Sequence, residues 1–156
     1  MANRLVRVRP VSQTNDTSEC GISFAQITPQ PINGLVDGSA VCVDRSENIY
    51  VTDVDKHVIF KYRRGQSSQV FAGTYGTSGY ADGTGTAAKF NRPTGMCVDR
   101  RGNLWVVDTG NKLIRKVTEN AEVYTVAEIP PEVVGDEPGQ IAVDDSETIF
   151  LIDNTP

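Results

Sequence analysis

Apolar and polar residues alternate along this chain in short bursts, and the bursts come in pairs. Val41-Cys42-Val43 runs into Asp44, a polar stretch Arg45-Ser46-Glu47-Asn48 follows, and Ile49-Tyr50-Val51-Thr52 runs into Asp53. The arrangement returns as Met96-Cys97-Val98-Asp99 with Leu104-Trp105-Val106-Val107-Asp108, and again as Ile141-Ala142-Val143-Asp144 with Ile149-Phe150-Leu151-Ile152-Asp153. Short runs rich in β-branched and aromatic residues, bounded by polar turns, predict strands joined as hairpins. The two aspartates of each copy stand nine residues apart, whereas successive copies begin 55 and then 45 residues apart. A rigid unit on variable connections is the mark of a repeat architecture.

The first two copies continue into a third strand, at 57–62 and 112–117, and a fourth near 69–71 and 123–126. The only helical hint is one turn at 87–90. Four antiparallel strands repeating at about 45 residues are what a propeller blade requires, so the expected class is all-β.

Two strings then carry a family resemblance. Gly95-Met96-Cys97-Val98-Asp99, continuing through Gly102-Asn103-Leu104-Trp105-Val106-Val107-Asp108-Thr109-Gly110-Asn111 to Val117, resembles NHL repeats, as does Phe71-Ala72-Gly73 with Gly79-Tyr80-Ala81-Asp82-Gly83 and Ala87-Ala88-Lys89-Phe90-Asn91-Arg92-Pro93. The resemblance covers residues 33–156, and it implies a six-bladed propeller. The third copy lacks the Gly-Asn of its first turn and shows only two strands.

The missing half of that blade has a counterpart near the start of the chain. Asn3-Arg4-Leu5-Val6-Arg7-Val8 matches Asn111-Lys112-Leu113-Ile114-Arg115-Lys116 in chemical type, and Gly21-Ile22-Ser23-Phe24-Ala25 offers a fourth strand. A ring of only three blades falls below the range of four to eight seen for propellers. Closure is expected from a second copy, head to tail; the alternatives are that the sequence is a fragment of a longer propeller, or that Leu5 to Val8 forms an unrelated strand. Blade 1 would span 33–71 and blade 2 93–127, while blade 3 would join 138–156 to residues 1–26 of the partner. The seam would set Leu5, Val6, Arg7 and Val8 beside Ile149, Phe150, Leu151 and Ile152, hiding edge strands that would otherwise invite aggregation.

Composition narrows the function classes. Net charge is −5, which argues against nucleic acid as the main partner, because phosphate neutralisation needs a dominant basic surface. No long apolar stretch predicts a membrane span, and the arginine-bearing first residues lack the apolar core of a secretion signal. A cytoplasmic or virion-associated protein is expected, the latter from economy of coding length. Cys42 and Cys97 hold equivalent strand positions and Cys20 stands alone, so all three of the chain's cysteines are expected as reduced thiols.

Candidate chemistry is thin. Asp44, Asp99 and Asp144 could ring a channel as cation ligands, but an aspartate before a tight turn more commonly accepts that turn's N–H groups. His57 is the only histidine, so a three-histidine metal site is out of reach. A Ser39, His57 and Asp55 set has no supporting spacing. No catalytic residue and no cofactor are expected. The distinctive segment is 73–91, where Tyr75, Tyr80 and Asp82 stand among glycines close to Arg92. With His57 these form the candidate ligand-binding set, since aromatics on bent loops above a rigid scaffold suit capture. The expected function is a non-catalytic binding or assembly module. Two alternatives remain: a hydrolase or lyase using a channel cation, and nucleic-acid binding through a face carrying Arg45, Arg63, Arg64, Arg100 and Arg101.

Overall fold

A computed structural model of the chain describes residues 4–5, 30–131 and 139–152. The expected strand at 21–25, the seam residues Val6, Arg7 and Val8, and Cys20 lie outside the described residues, as does Asp153.

The fold is all-β and antiparallel. Blade 1 is a four-stranded sheet of β3 (Gly38–Val43), β4 (Ile49–Asp53), β5 (Val58–Tyr62) and β6 (Gln69–Ala72), in that order. Blade 2 runs β8 (Pro93–Val98), β9 (Leu104–Asp108), β10 (Leu113–Val117) and β11 (Glu122–Glu128), with the short β7 (Gly83–Thr84) added at its outer edge. The third sheet comprises β12 (Gln140–Val143) and β13 (Ile149–Ile152). A separate pair joins β1 (Arg4–Leu5) to β2 (Gln30–Pro31). The helical hint near 87–90 is a 3-10 turn at Gly85–Ala87. Among the described residues no helix is long and apolar enough to cross a membrane.

The blades stack face to face, and strand alternation explains how. Side chains one apart point to opposite faces. In β9, Leu104 and Val106 enter the core shared with blade 1, while Trp105 and Val107 enter the core shared with β12 and β13. Both faces of β9 are buried, and it therefore reads as an unbroken apolar run, whereas the outer strand β11 keeps Tyr124 and Val126 exposed. In β4, Tyr50 points toward blade 2 while Val51 points backward, into a third cluster with Ile32, Val58 and Phe60.

Each first turn is folded by its aspartate. Asp44 Oδ1 accepts the N–H groups of Ser46 and Asn48, and Asp99 Oδ1 those of Arg101 and Asn103. The second oxygen of each accepts a side-chain amide and an aromatic donor: Asn48 and the Tyr50 hydroxyl for Asp44, Asn103 and the Trp105 indole for Asp99. Burial opposes ionisation of both carboxyls, yet these hydrogen bonds together hold them below their ordinary value. Among the described residues the Asp144 side chain accepts only the N–H groups of Ser146 and Thr148, because Thr148 and Phe150 replace the asparagine and the aromatic donor.

Candidate functional site

Antiparallel order brings the inter-blade loop 73–92 and the turns between second and third strands to one end of the sheets, here the loop face. The first turns and the third-to-fourth turns lie at the other end, the turn face.

The loop face is organised by Arg115, which is fully buried together with Asp108. Its Nη1 donates to Asp108 Oδ2 at 2.8 Å and to the Lys89 carbonyl at 3.1 Å. Its Nη2 donates to Asp82 Oδ1 at 2.7 Å and to the Ala81 carbonyl at 2.9 Å. The guanidinium also stands 5.3 Å from the Tyr80 ring centroid and 5.2 Å from that of Phe90, within cation–π range of both. Asp108 completes the anchor by accepting the Asn91 N–H at 2.7 Å and the Asn111 amide at 2.8 Å. Burial pushes the Asp108 carboxyl above its ordinary value, while at the rim Thr125 and Arg115 outweigh burial and hold Asp82 below its own.

The five expected ligand residues divide into separate groups. Tyr80 and Asp82 meet on Arg115, with Thr125 Oγ1 donating to Asp82 at 2.9 Å. His57 is not the opening residue of a strand but a left-handed turn residue, φ 58°, whose Nδ1 accepts the Arg92 N–H at 3.0 Å. Tyr75 donates to the Gly34 carbonyl at 2.9 Å, packs edge-on against Phe60 and lies under the Lys56 ammonium. Phe90 is wholly buried, whereas Tyr80 is 61% exposed. Gly73 permits this loop path: its φ is 99°, and a Cβ there would meet the His57 carbonyl oxygen at 2.6 Å.

Arg115 was not among the residues singled out above. The available signal is a charged residue inside the strand Leu113–Val117, on a hairpin whose other strand ends in Asp108. In blade 1 the equivalent position is Phe60, and Asp53 holds the chain differently, by accepting the N–H groups of Val36, Asp37 and Lys56.

On the turn face, a cleft of about 280 Å³ opens between blades 2 and 3, lined by four carboxylates, two arginines and two valines. The arginines are countered there: Arg100 lies 2.6 Å from Asp145 and Arg101 3.8 Å from Glu147. Cys42 and Cys97 are free thiols. Burial, with Cys97 and Asp44 nearby, pushes Cys42 up to about 12, and burial beside Asp99 pushes Cys97 up to about 11. Both stay protonated and poorly nucleophilic at neutral pH.

The chain is similar to NHL repeat-containing protein 2 of Gallus gallus, 33% identical over 97 residues, which are 61% of this chain and 13% of that protein. It is similar also to Protein SUPPRESSOR OF QUENCHING 1, chloroplastic, of Arabidopsis thaliana, 33% identical over 82 residues, 50% of this chain and 8% of that one. The chain thus spans a small fraction of these curated relatives. Among solved structures, an auxiliary nutrient binding protein from Bacteroides thetaiotaomicron superposes with a TM-score of 0.65 at 19% identity, covering 83% of this chain and 39% of that one. A catalytically inactive virginiamycin B lyase from Staphylococcus aureus superposes with a TM-score of 0.57 at 11% identity, covering 78% and 36%. The NHL repeat family model matches residues 90–117, the span that runs from Phe90 through Arg115 to the end of β10, on an all-β scaffold of the propeller-like kind these structures share.

Proposed function

We propose that this chain is a non-catalytic binding and assembly module, a propeller scaffold that presents its loop face to a protein or small ligand. The observation that carries this reading is the use of the repeat's polar side chains by the fold itself. Asp44, Asp99, Asp108 and Arg115 are engaged in internal hydrogen bonds, and His57 Nδ1 already accepts a backbone N–H. What turns outward is Tyr80, stacked on a buried guanidinium, a rigid amphipathic ring of the type binding surfaces favour.

The names of the structural neighbours include both a binding protein and a lyase, and a shared fold does not choose between them. The site argues against the lyase-like alternative, because among the described residues no acid and base converge on a common point. The arginine pairings on the turn face and the net charge of −5 argue against nucleic acid.

In this reading the working form is a homodimer of six blades, each copy completing the partner's third blade.

Elemental analysis of the purified protein should find no stoichiometric zinc or calcium, and a gel-shift assay at low salt should show no retained RNA. One cation per dimer, lost in Asp144→Asn, would establish the channel-cation alternative. An RNA shift abolished by moderate salt would establish the nucleic-acid one.

A further inference from the structure

Of the nine asparagines in the chain, only Asn33 is followed by glycine. The pair forms the middle of a turn between β2 and β3, closed by the Leu35 N–H on the Ile32 carbonyl at 3.2 Å. Gly34 stands at φ 87° while Asn33 keeps a negative φ, the geometry of a type II turn, in which glycine fills the second central position at no steric cost. Ile32 and Leu35 root the turn in the apolar cluster behind blade 1, whereas Asn33 and Gly34 are exposed. Among the described residues the Asn33 side-chain amide makes no hydrogen bond.

Other asparagines are held by their amides. Asn48 donates to Asp44 at 2.7 Å, Asn103 to Asp99 at 2.9 Å and Asn111 to Asp108 at 2.8 Å. Each is also followed by a residue with a side chain, Ile49, Leu104 or Lys112, which crowds the next backbone nitrogen and narrows its conformations.

What restrains the Asn33-Gly34 turn is Tyr75. Its hydroxyl donates to the Gly34 carbonyl at 2.9 Å, and its ring packs edge-on against Phe60. Ser68 Oγ reaches the Asn33 carbonyl only at 3.5 Å. In a type II turn the backbone nitrogen of the second central residue is rotated away from the side chain of the first. Bringing the Gly34 nitrogen onto Asn33 Cγ therefore requires the peptide between them to turn, and the Tyr75 bond opposes that rotation.

We infer that Asn33-Gly34 is a site of spontaneous deamidation and that the Tyr75 hydroxyl sets its rate. The Gly34 nitrogen gives its proton to base and attacks Asn33 Cγ. The new N–C bond closes a succinimide ring as the side-chain nitrogen takes up a proton and leaves as ammonia. Water then adds to one of the two ring carbonyls and breaks that carbonyl's bond to the Gly34 nitrogen. Opening on the side-chain carbonyl gives aspartate; opening on the main-chain carbonyl gives isoaspartate. One water enters and one ammonia departs. Either product adds a negative charge to the turn, and isoaspartate also threads Cβ into the main chain, which shifts the Gly34 carbonyl off Tyr75.

The test is peptide mapping by mass spectrometry of the full-length protein, sampled over time at mildly alkaline pH. Asn33 should convert ahead of Asn48, Asn103 and Asn111, with ammonia released in step. Asp37-Gly38 and Asp82-Gly83 form isoaspartate with neither the mass change nor ammonia, so they do not confuse the reading. Tyr75→Phe, which keeps the ring against Phe60, should speed conversion at Asn33 by about fivefold, the factor that one hydrogen bond of ordinary net strength supplies. Asn48 and Asn103 should keep their native rates in that variant. An intact Asn33 while other asparagines convert would overturn the site, and an unchanged rate in folded Tyr75→Phe would overturn the clamp. Should Tyr75→Phe misfold, the native chain unfolded in urea gives a separate reading: Asn33 should convert faster there than in the folded chain, and equal rates would overturn the clamp.

Discussion

Blade 2 and the two-stranded sheet that follows it are written with the same sequence unit, yet they meet opposite fates. Trp105 and Val107 are 1% and 0% exposed, while their equivalents Phe150 and Ile152 are 57% and 54% exposed. The backward direction mirrors this: Met96 and Ile141 are 7% and 8% exposed, and Val41, with no blade behind it, is 54%. The second strands β9 and β13 each carry two apolar faces regardless of what stands beside them. Burial in this molecule is thus a property of the neighbouring blade more than of the strand.

The largest expected effect sharpens that contrast. Trp105→Ala should cost about 3–5 kcal/mol, since it empties a packed inter-blade core and removes the indole donor to Asp99. Phe150→Ala should leave the unfolding free energy of dissociated chains nearly unchanged and act instead on association. Urea unfolding at low and high protein concentration separates the two, and equal losses at both positions would remove the distinction between covered and uncovered faces.

Arg115 ranks beside it, through a different mechanism. Arg115→Met strands Asp108 as a buried carboxylate without its main counterion and releases Lys89, Ala81 and Asp82 together. A loss of about 3–5 kcal/mol is expected in denaturant unfolding, with increased proteolysis in the 79–91 loop. Arg115→Lys should not restore stability, because an ammonium cannot reproduce the planar fork. A fully stable Arg115→Met protein would mean that the loop is held by its own turns.

A smaller effect separates the complete first turns from the reduced one. The Asp99 carboxyl is held below its ordinary value, so its stabilisation is present above the unfolded value of about 4 and is lost as pH falls through the lower folded value. The stability gap between the native chain and Asp99→Asn should therefore shrink between neutral pH and about pH 3. Asp144→Asn, which forfeits only two backbone donors, should show a smaller gap. Chevron or equilibrium midpoints at both pH values check this, and a gap that widens in acid would reverse the assignment.

The blades were legible in the sequence because their determinants are local. The aspartate-turn bonds span two to six residues, as in Ser46 to Asp44 and Tyr50 to Asp44, and the apolar runs lie within single strands. The anchor was not legible, because Arg115 gathers partners 26 to 34 residues away on a loop whose path depends on glycines such as Gly73. For the same reason, Tyr75 and Tyr80 look alike in sequence but do different things: Tyr75 clamps the 34 carbonyl, while Tyr80 faces solvent over a guanidinium. In β1 and β2, strand chemistry was readable in Leu5, but the partner at Gln30 was not, because Pro29 and Pro31 obscure any strand pattern there.

The proposed function has the uncovered faces of blades 1 and 3 joined by a second copy of this chain. Light scattering on the full-length protein tests it most directly. The expected mass is about twice the 16.9 kDa of one chain, with dissociation to monomers when Phe150→Asp places a charge in the seam. A monodisperse monomer at micromolar concentration, indifferent to Phe150→Asp, would contradict it.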